Sequence, residues 1–167
     1  MAQAAGRPLL RLLAVAAVLA VLLGGFALWL GWPLLAGTTV VLDTRPVDPF
    51  DPLRGQYVVI GYEVGSLPAV PEAEEGGPVF VEVAPDAEGV WRHRATHLEP
   101  PEEGVFLRGD VVRAGPERME VRYGIEQYFF ERGSEVPARG LTVEVKVDRR
   151  GRARIVRLLH EGEPLDL

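Results

Sequence analysis

The sequence PVDPFDPLRGQYVVIGY, residues 46–62, decides how the rest of the chain is organised. Prolines recur in it at every third position, which favours an extended path and removes backbone donors that a helix or a central strand needs. Gly55 permits a turn with positive φ, and the run Val58, Val59 and Ile60 after it is typical of a β-strand. The segment therefore predicts a proline-rich connector that leads into a strand.

An apolar stretch without charged side chains lies upstream of this segment, from residue 12 to residue 42. Residues 12–32 would form a helix about 31 Å long at ~1.5 Å per residue, which is enough to cross a bilayer core of ~30 Å. Trp29 and Trp32 stand near the end of that helix, where membrane proteins carry an aromatic belt. The stretch predicts a transmembrane helix at residues 12–32.

Basic residues flank this helix closely on one side only. Arg7 and Arg11 precede it, and no basic residue follows it before Arg45. The positive-inside rule then predicts a cytoplasmic N-terminus at residues 1–11 and an extracytoplasmic domain at residues 38–167. We therefore expect a single-pass protein of the inner (cell) membrane.

A cleaved signal peptide is the alternative interpretation of this N-terminus. The apolar region of a signal peptide is only about 7–15 residues long, and small residues precede its cleavage site. Here the apolar stretch is longer, and Leu34 would occupy the −3 position of a cleavage after Ala36. The sequence favours an uncleaved membrane anchor.

The domain after the apolar stretch is acidic. It holds all 24 acidic residues of the chain and all 18 basic residues except Arg7 and Arg11. A nucleic-acid-binding surface needs concentrated positive charge, so this balance argues against that function class. The chain also has no cysteine, which excludes disulfides and thiolate chemistry.

Short β-branched and alternating runs, separated by Pro- and Gly-containing turns, recur along the domain. They predict strands at residues 38–44, 56–63, 79–83, 90–96, 105–112, 119–123, 141–147 and 153–159. The pairs 79–83 with 90–96 and 141–147 with 153–159 read as hairpins. The predicted fold is mainly β, an antiparallel β-sandwich or a partly open barrel behind the transmembrane helix. A short helix around residues 124–131 stays as an alternative for that segment.

Two blocks of the domain resemble the signature of the bacterial GDYXXLXY family. The first is LRGQYVVIGY at residues 53–62, and the second is YGIEQYF at residues 123–129. Gln56 stands where the family motif has Asp, and Ile60 stands where it has Leu, so any chemistry that needs that Asp is not expected here. The resemblance implies a membrane-anchored protein with an uncharacterised periplasmic domain, often encoded beside multi-pass membrane proteins, and it implies no activity.

The sequence gives little support for two possible sites, a Ser–Lys catalytic pair and a two-histidine metal site. A Ser–Lys peptidase needs a hydroxyl nucleophile beside an amine, but Ser66 and Ser134 lie in loop-like sequence and Lys146 on the exposed face of a predicted hairpin. His93 and His97 fall on a predicted strand, where four residues span ~13 Å, too far for one metal ion. The sequence predicts no catalytic residue, no metal and no cofactor.

Aspartates near the connector have two interpretations. Asp43, Asp48 and Asp51 could hold a hard cation through their oxygens. They could instead solvate a stiff connector and pair with Arg45 or Arg54. The sequence favours the second interpretation.

Tyrosines and charged side chains around the two blocks form the candidate binding set. Core packing is one interpretation of the tyrosines, and a groove for a peptide or glycan is the other. The candidate binding residues are Asp48, Asp51, Arg54, Tyr57, Tyr62, Tyr123, Glu126 and Tyr128.

The predicted function is interaction rather than catalysis. We expect a membrane-anchored accessory protein, and the family resemblance implies a multi-pass integral membrane protein as its partner. The alternative is a cell-envelope hydrolase, or a ligand-binding domain for a glycan or peptide, that uses Asp48, Asp51 and residues 123–131.

Overall fold

One long apolar helix precedes a β domain. The computed structural model describes residues 6–45, 57–129, 137 and 140–165. The helix, α1, spans Gly6–Ala36. Within it, Leu10–Gly31 is long and apolar enough to cross a membrane, and none of its most apolar window is buried against the rest of the protein. The helix expected at residues 12–32 is therefore present, and its apolar surface needs lipid or another protein around it.

Twelve strands follow α1 in the described chain, most of them short. Their bounds are β1 Thr38–Arg45, β2 Tyr57–Val59, β3 Gly61–Tyr62, β4 Ser66–Pro68, β5 Pro78–Pro85, β6 Trp91–His97, β7 Val105–Ala114, β8 Arg118–Arg122, β9 Gln127–Phe129, β10 Leu141–Val147, β11 Ala153–His160 and β12 Glu163–Pro164. A single 3-10 turn, Glu63–Gly65, connects β3 to β4.

Most strands belong to one mixed sheet, in the order β12-β11-β10-β1-β6-β5-β7-β8-β4. Neighbours are antiparallel except β1 and β6, which run parallel where Leu42 faces Trp91. β3 pairs with β1 beside this path, whereas β2 and β9 form a separate two-stranded sheet. The sheet does not close on itself. The mainly β fold expected from the sequence, a sandwich or partly open barrel, is confirmed.

Alternation along the central strands builds the core. Val40 and Leu42 of β1 lie opposite Val145 and Val143 of β10, and all four side chains are fully buried. Residues between them in β10 are only half-buried. The period of two that predicted these strands is therefore the pattern that buries one face of the sheet.

The strand expected at residues 56–63 is divided in the structure. Ile60 separates β2 from β3, and its N–H donates to the Glu126 carbonyl oxygen (2.8 Å). β2 pairs with β9 alone in the part of the chain described, and Val59 is 41% exposed. Ile60 and Tyr62 are buried, so the end of this segment enters the core while β2 lies outside the main sheet.

Two other segments differ from the expected structure. Ser66, which the sequence places in a loop, instead begins β4, which pairs with β8. The alternative helix at residues 124–131 is wrong for its described part, where β9 pairs with β2. Both strands are three residues long, too short to show a period in the sequence.

A buried carboxylate fixes the turn between β10 and β11. Asp148 is 8% exposed, and its Oδ1 accepts hydrogen bonds from the N–H groups of Arg150 and Arg152, both at 2.9 Å. Its Oδ2 accepts from Arg152 Nε at 2.7 Å. Burial raises the pKa of Asp148, but the hydrogen bonds from Arg152 and Arg150 outweigh it, so the pKa lies below its usual value.

We expect the Asp148→Asn variant to lose about 2 kcal/mol of stability near neutral pH, because the amide cannot replace a charge-assisted hydrogen bond. A carboxyl whose folded pKa is depressed stabilises the protein above its unfolded pKa, and this contribution disappears as pH falls through the folded pKa. The difference in melting temperature between the two proteins should therefore shrink as pH falls below the ordinary aspartate pKa of about 3.9, and disappear once pH has passed the lower folded pKa of Asp148. Thermal unfolding followed by circular dichroism checks this, and a pH-independent difference would contradict it.

The helix and the domain meet through a very short connection. Only Gly37 separates Ala36, the last residue of α1, from Thr38, the first residue of β1. The Arg152 guanidinium carbon lies 5.1 Å from the centroid of the Trp29 ring, within the range of a cation–π contact. The same turn of the domain that Asp148 stabilises therefore contacts the end of the apolar helix.

Candidate functional site

The two sequence blocks come together in space. β2 pairs with β9 antiparallel, with Tyr57 opposite Phe129 and Val59 opposite Gln127. The Ile60–Glu126 backbone hydrogen bond then extends this contact toward the main sheet. Residues far apart in the chain thus form one structure, which we call the motif junction: residues 57–64 and 123–129.

Two tyrosines, one from each segment of the motif junction, form hydrogen bonds across it. Tyr62 Oη donates to the carbonyl oxygen of Ile125 at 2.7 Å, and Tyr123 Oη donates to that of Val64 at 2.6 Å. Both side chains are buried, at 3% and 8% exposure. Each segment of the motif junction therefore supplies a tyrosine whose hydroxyl satisfies a buried backbone carbonyl of the other segment.

The environment of these hydroxyls suits hydrogen-bond donation. Burial raises the pKa values of Tyr62 and Tyr123 well above the usual range, and the nearby Glu126 carboxylate raises them further. Both phenols therefore stay protonated, as donors to their carbonyl partners. Neither is a candidate general base.

The Glu126 carboxylate accepts hydrogen bonds from backbone N–H groups of its own turn. Oε1 accepts from the N–H of Tyr123 at 2.5 Å, and Oε2 accepts from the N–H of Gly124 at 3.0 Å. Gly124 has φ of +78°, a conformation that glycine adopts without strain. The YGIE part of the second block is thus a closed turn whose glutamate binds backbone amides.

A pocket of about 450 Å³ adjoins the motif junction. Its charged lining comes from Arg45, Glu120, Arg122 and Glu126, and Tyr62 contributes to its wall. Glu120 also lies 3.4 Å from Arg113 Nη1, and Glu126 is bonded to backbone amides. The pocket has the size for a peptide side chain or a sugar, but both of its carboxylates already have partners.

The structure brings together only part of the candidate binding set. Tyr62, Tyr123 and Glu126 meet at the motif junction, and Tyr128 is half-buried against the core. Tyr57 lies in β2, opposite Phe129. Asp48, Asp51 and Arg54 lie outside the described residues.

The two histidines lie on the strand expected from the sequence, whereas Lys146, expected on an exposed face, is half-buried. His93 and His97 lie on β6, where His93 Nε2 is 2.9 Å from Thr96 Oγ1 and His97 Nε2 is 3.3 Å from Glu82 Oε2. Across the described residues, no three His, Asp or Glu side chains are placed to hold a metal ion. Lys146 lies on β10, opposite Thr39 and Arg154.

Ser66 and Asp43 both have arginine partners. Ser66 Oγ accepts from Arg118 Nε at 3.0 Å. Asp43 pairs at 2.9 Å with Arg92, which was not one of the two arginines considered from the sequence. Its carboxylate contributes to an ion-pair cluster instead of a cation site.

Arg92 is the centre of this cluster, which sequence reasoning missed. Its guanidinium pairs with Asp43, with Glu63 and, at 3.1 Å, with Asp86. The hydrogen bond from Arg92 lowers the pKa of Asp86. Asp86 lies in the turn just before β6, but Asp43 and Glu63 are distant from Arg92 in the chain. No local pattern could therefore have revealed the cluster, which ties the start of β6 to β1 and the 3-10 turn.

Comparison with known proteins yields a single finding. No curated protein and no solved structure matches the chain. The family model described as GDYXXLXY protein matches residues 19–158, a range that includes both sequence blocks and most of the domain. The chain therefore belongs to the GDYXXLXY family.

Proposed function

We propose that the protein is a membrane-anchored accessory protein whose β domain binds a multi-pass integral membrane protein at the membrane surface. The family is of unknown function, so the proposal rests on how the domain is attached. The observation that carries it is the single residue, Gly37, between the apolar helix and the first strand.

This connection limits where the domain can act. One residue extends a chain by at most about 3.6 Å, and the contact between Trp29 and Arg152 further fixes the domain against the helix end. A domain held in this way cannot search the space beyond the membrane. Its partner must lie within the membrane or immediately above it.

The helix itself offers a surface for another membrane helix. Its apolar side chains are exposed in the described structure, including Leu22, Leu23 and Phe26. Gly24 and Gly25 are open as well, since a Cβ added at either would meet no atom within 4 Å. Small residues on an apolar helix permit the close approach of a second backbone, which favours helix association in lipid.

The motif junction and the pocket beside it expose apolar side chains on the domain, which could contact the same partner as the helix. Val59 is 41% exposed on β2, and Val112, which lines the neighbouring pocket, is 44% exposed. Tyr62, Tyr123 and Glu126 are occupied in building this structure. The residues that mark the family therefore support a surface, which suits a binding role better than a catalytic one.

The proposed orientation places the N-terminus in the cytoplasm and the domain outside the inner membrane. Arg7 and Arg11 before the helix favour this direction. A periplasmic domain in a bacterial cell follows from the same orientation together with the family resemblance.

Site-specific photocrosslinking tests the proposal. The full chain, with benzoylphenylalanine in place of Val59, is irradiated in membranes of its source cells, and the same substitution at Glu102, in the loop between β6 and β7, is the control. We expect an adduct with a multi-pass membrane protein from position 59 and little from position 102. Equal adducts at both positions, or a lone monomer with hydrolytic activity on purification, would contradict the accessory role.

A further inference from the structure

A second pocket, of about 340 Å³, lies where the helix end meets the sheet. Trp29 and Leu30 of α1 form one side of it. Four arginines, contributed by β7, β8, β11 and the turn before β11, line it from the domain: Arg108, Arg122, Arg152 and Arg154. We call these four side chains the arginine cluster.

The positive charge of this cluster runs against the composition of the domain, in which acidic residues outnumber basic ones. Asp110 is the one carboxylate that lines the pocket among the described residues, opposite Arg122 in the sheet. Asp148, which does not line the pocket, accepts a hydrogen bond from Arg152 Nε. Four guanidinium groups therefore face two carboxylates, which leaves a net positive site on an acidic protein.

The geometry orients part of the cluster. Asp148 holds Nε of Arg152 at 2.7 Å, and the same guanidinium lies over the ring of Trp29. The side chains of Arg108, Arg122 and Arg154 are exposed at the pocket. Guanidinium groups present paired N–H donors that match phosphate oxygens, and several of them in one place form a phosphate site.

The position of the pocket along the helix identifies the source of the phosphate. Trp29 and Leu30 belong to the last turns of the candidate membrane span, Leu10–Gly31. Tryptophan at the end of such a span sits at the level of the lipid headgroups. The guanidinium groups around it then stand at the depth where lipid phosphates lie.

We propose that the arginine cluster binds the phosphate of an anionic phospholipid headgroup in the leaflet that faces the domain. Zwitterionic lipids carry a phosphate too, but their own cationic group competes with the arginines for it. An anionic headgroup has no such group and gains the full attraction of the cluster. Bound lipid would then hold the domain to the membrane surface at a second point, in addition to the one-residue connection.

Lipid association in nanodiscs tests this inference on the full chain. The chain is reconstituted in phosphatidylcholine with a trace of spin-labelled phosphatidylglycerol or spin-labelled phosphatidylcholine, and the immobilised fraction of each is measured by electron spin resonance. We expect the wild type to prefer the anionic label by at least about fivefold, the contribution of a single juxtamembrane arginine. Equal association of the two labels would overturn the proposal.

Matched variants locate the site. Replacement of Arg108, Arg122 and Arg154 together by Gln should reduce the preference to near unity. The control replaces Arg94, Arg113 and Arg157 by Gln, which changes the net charge equally outside the pocket, and should keep the preference. The same loss in both variants, or in neither, would show that charge alone or another surface attracts the lipid, and would overturn the assignment.

Competition separates a lipid site from a free-phosphate site. Inorganic phosphate is added to wild-type nanodiscs, and chloride at equal ionic strength is the reference. We expect the two salts to weaken the lipid preference equally, by screening alone. Specific displacement by inorganic phosphate would mean that the pocket takes a soluble phosphate, which would overturn the lipid as its ligand.

Discussion

Replacing Gly151 with alanine is expected to lower the melting temperature of the domain by about 10 °C, which corresponds to roughly 3 kcal/mol. Gly151 has φ of +76°, and a Cβ built on it would lie 2.7 Å from the Arg108 nitrogen and 2.8 Å from the ring of Phe106. Its carbonyl also accepts the N–H of Arg108 at 2.8 Å. The turn between β10 and β11 therefore packs on β7 without room for a methyl group.

Gly89→Ala is the matched control for this substitution. Gly89 occupies the turn of the β5–β6 hairpin with nearly the same φ, +82°, but an added Cβ there meets no atom within 4 Å. We expect a cost of only about 1 kcal/mol, from the backbone conformation alone. Thermal unfolding of the two full-length variants in detergent measures the difference, and equal melting temperatures would mean that the turn does not pack on β7 as described.

The second large effect is expected from removing both hydroxyls of the motif junction. Tyr62→Phe and Tyr123→Phe should each cost about 1–2 kcal/mol, because each leaves a buried carbonyl without its donor. Since both bonds hold the same two segments, the double variant should show a coupling of about 0.5 kcal/mol or more. Thermal unfolding of the two single variants and the double variant gives this coupling directly.

Tyr128→Phe controls for the loss of a tyrosine hydroxyl near the same place. Tyr128 is only half-buried against the core, whereas Tyr62 and Tyr123 are 3% and 8% exposed. Its replacement should change the stability by less than about 0.5 kcal/mol. If Tyr62→Phe and Tyr123→Phe were equally mild, the two tyrosines would not hold the junction together.

Local patterns in the sequence predicted the hairpins well. The β5–β6 and β10–β11 pairs were expected at nearly the residues where they occur, because alternating apolar residues flank turns rich in Asp and Gly. Asp86 and Asp148 accept backbone N–H groups inside these turns, at 2.9 Å. Such information lies within a few neighbouring residues, so a single sequence contains it.

Contacts between distant segments were not predictable in the same way. Tyr62 and Tyr123 were candidate residues, but their hydroxyl partners depend on how the two blocks pack, which no spacing reveals. The ion pairs of Arg92 depend likewise on the parallel contact of β1 with β6. The short strand β4 was not predicted, because three residues are too few to show the alternating apolar pattern of a strand.

The arginine cluster could not be predicted from the residues that flank the helix in sequence either. The positive-inside rule counts basic residues close to the helix in sequence, where Arg7 and Arg11 dominate. Folding brings Arg108, Arg122 and Arg154 to the other end of the helix from three different strands. Charge near a membrane thus depends on tertiary structure as well as on the flanking residues.

The one-residue connection through Gly37 is the feature on which the proposed function depends. Insertion of about ten Gly and Ser residues after Gly37 should release the domain from the membrane surface, because a flexible linker of that length spreads it over roughly 17 Å. In the protein crosslinked through position 59, we expect the yield of the membrane-protein adduct to fall several-fold while the melting temperature stays the same. An adduct yield unaffected by the insertion would contradict the claim that the domain acts at the membrane because its anchor holds it there.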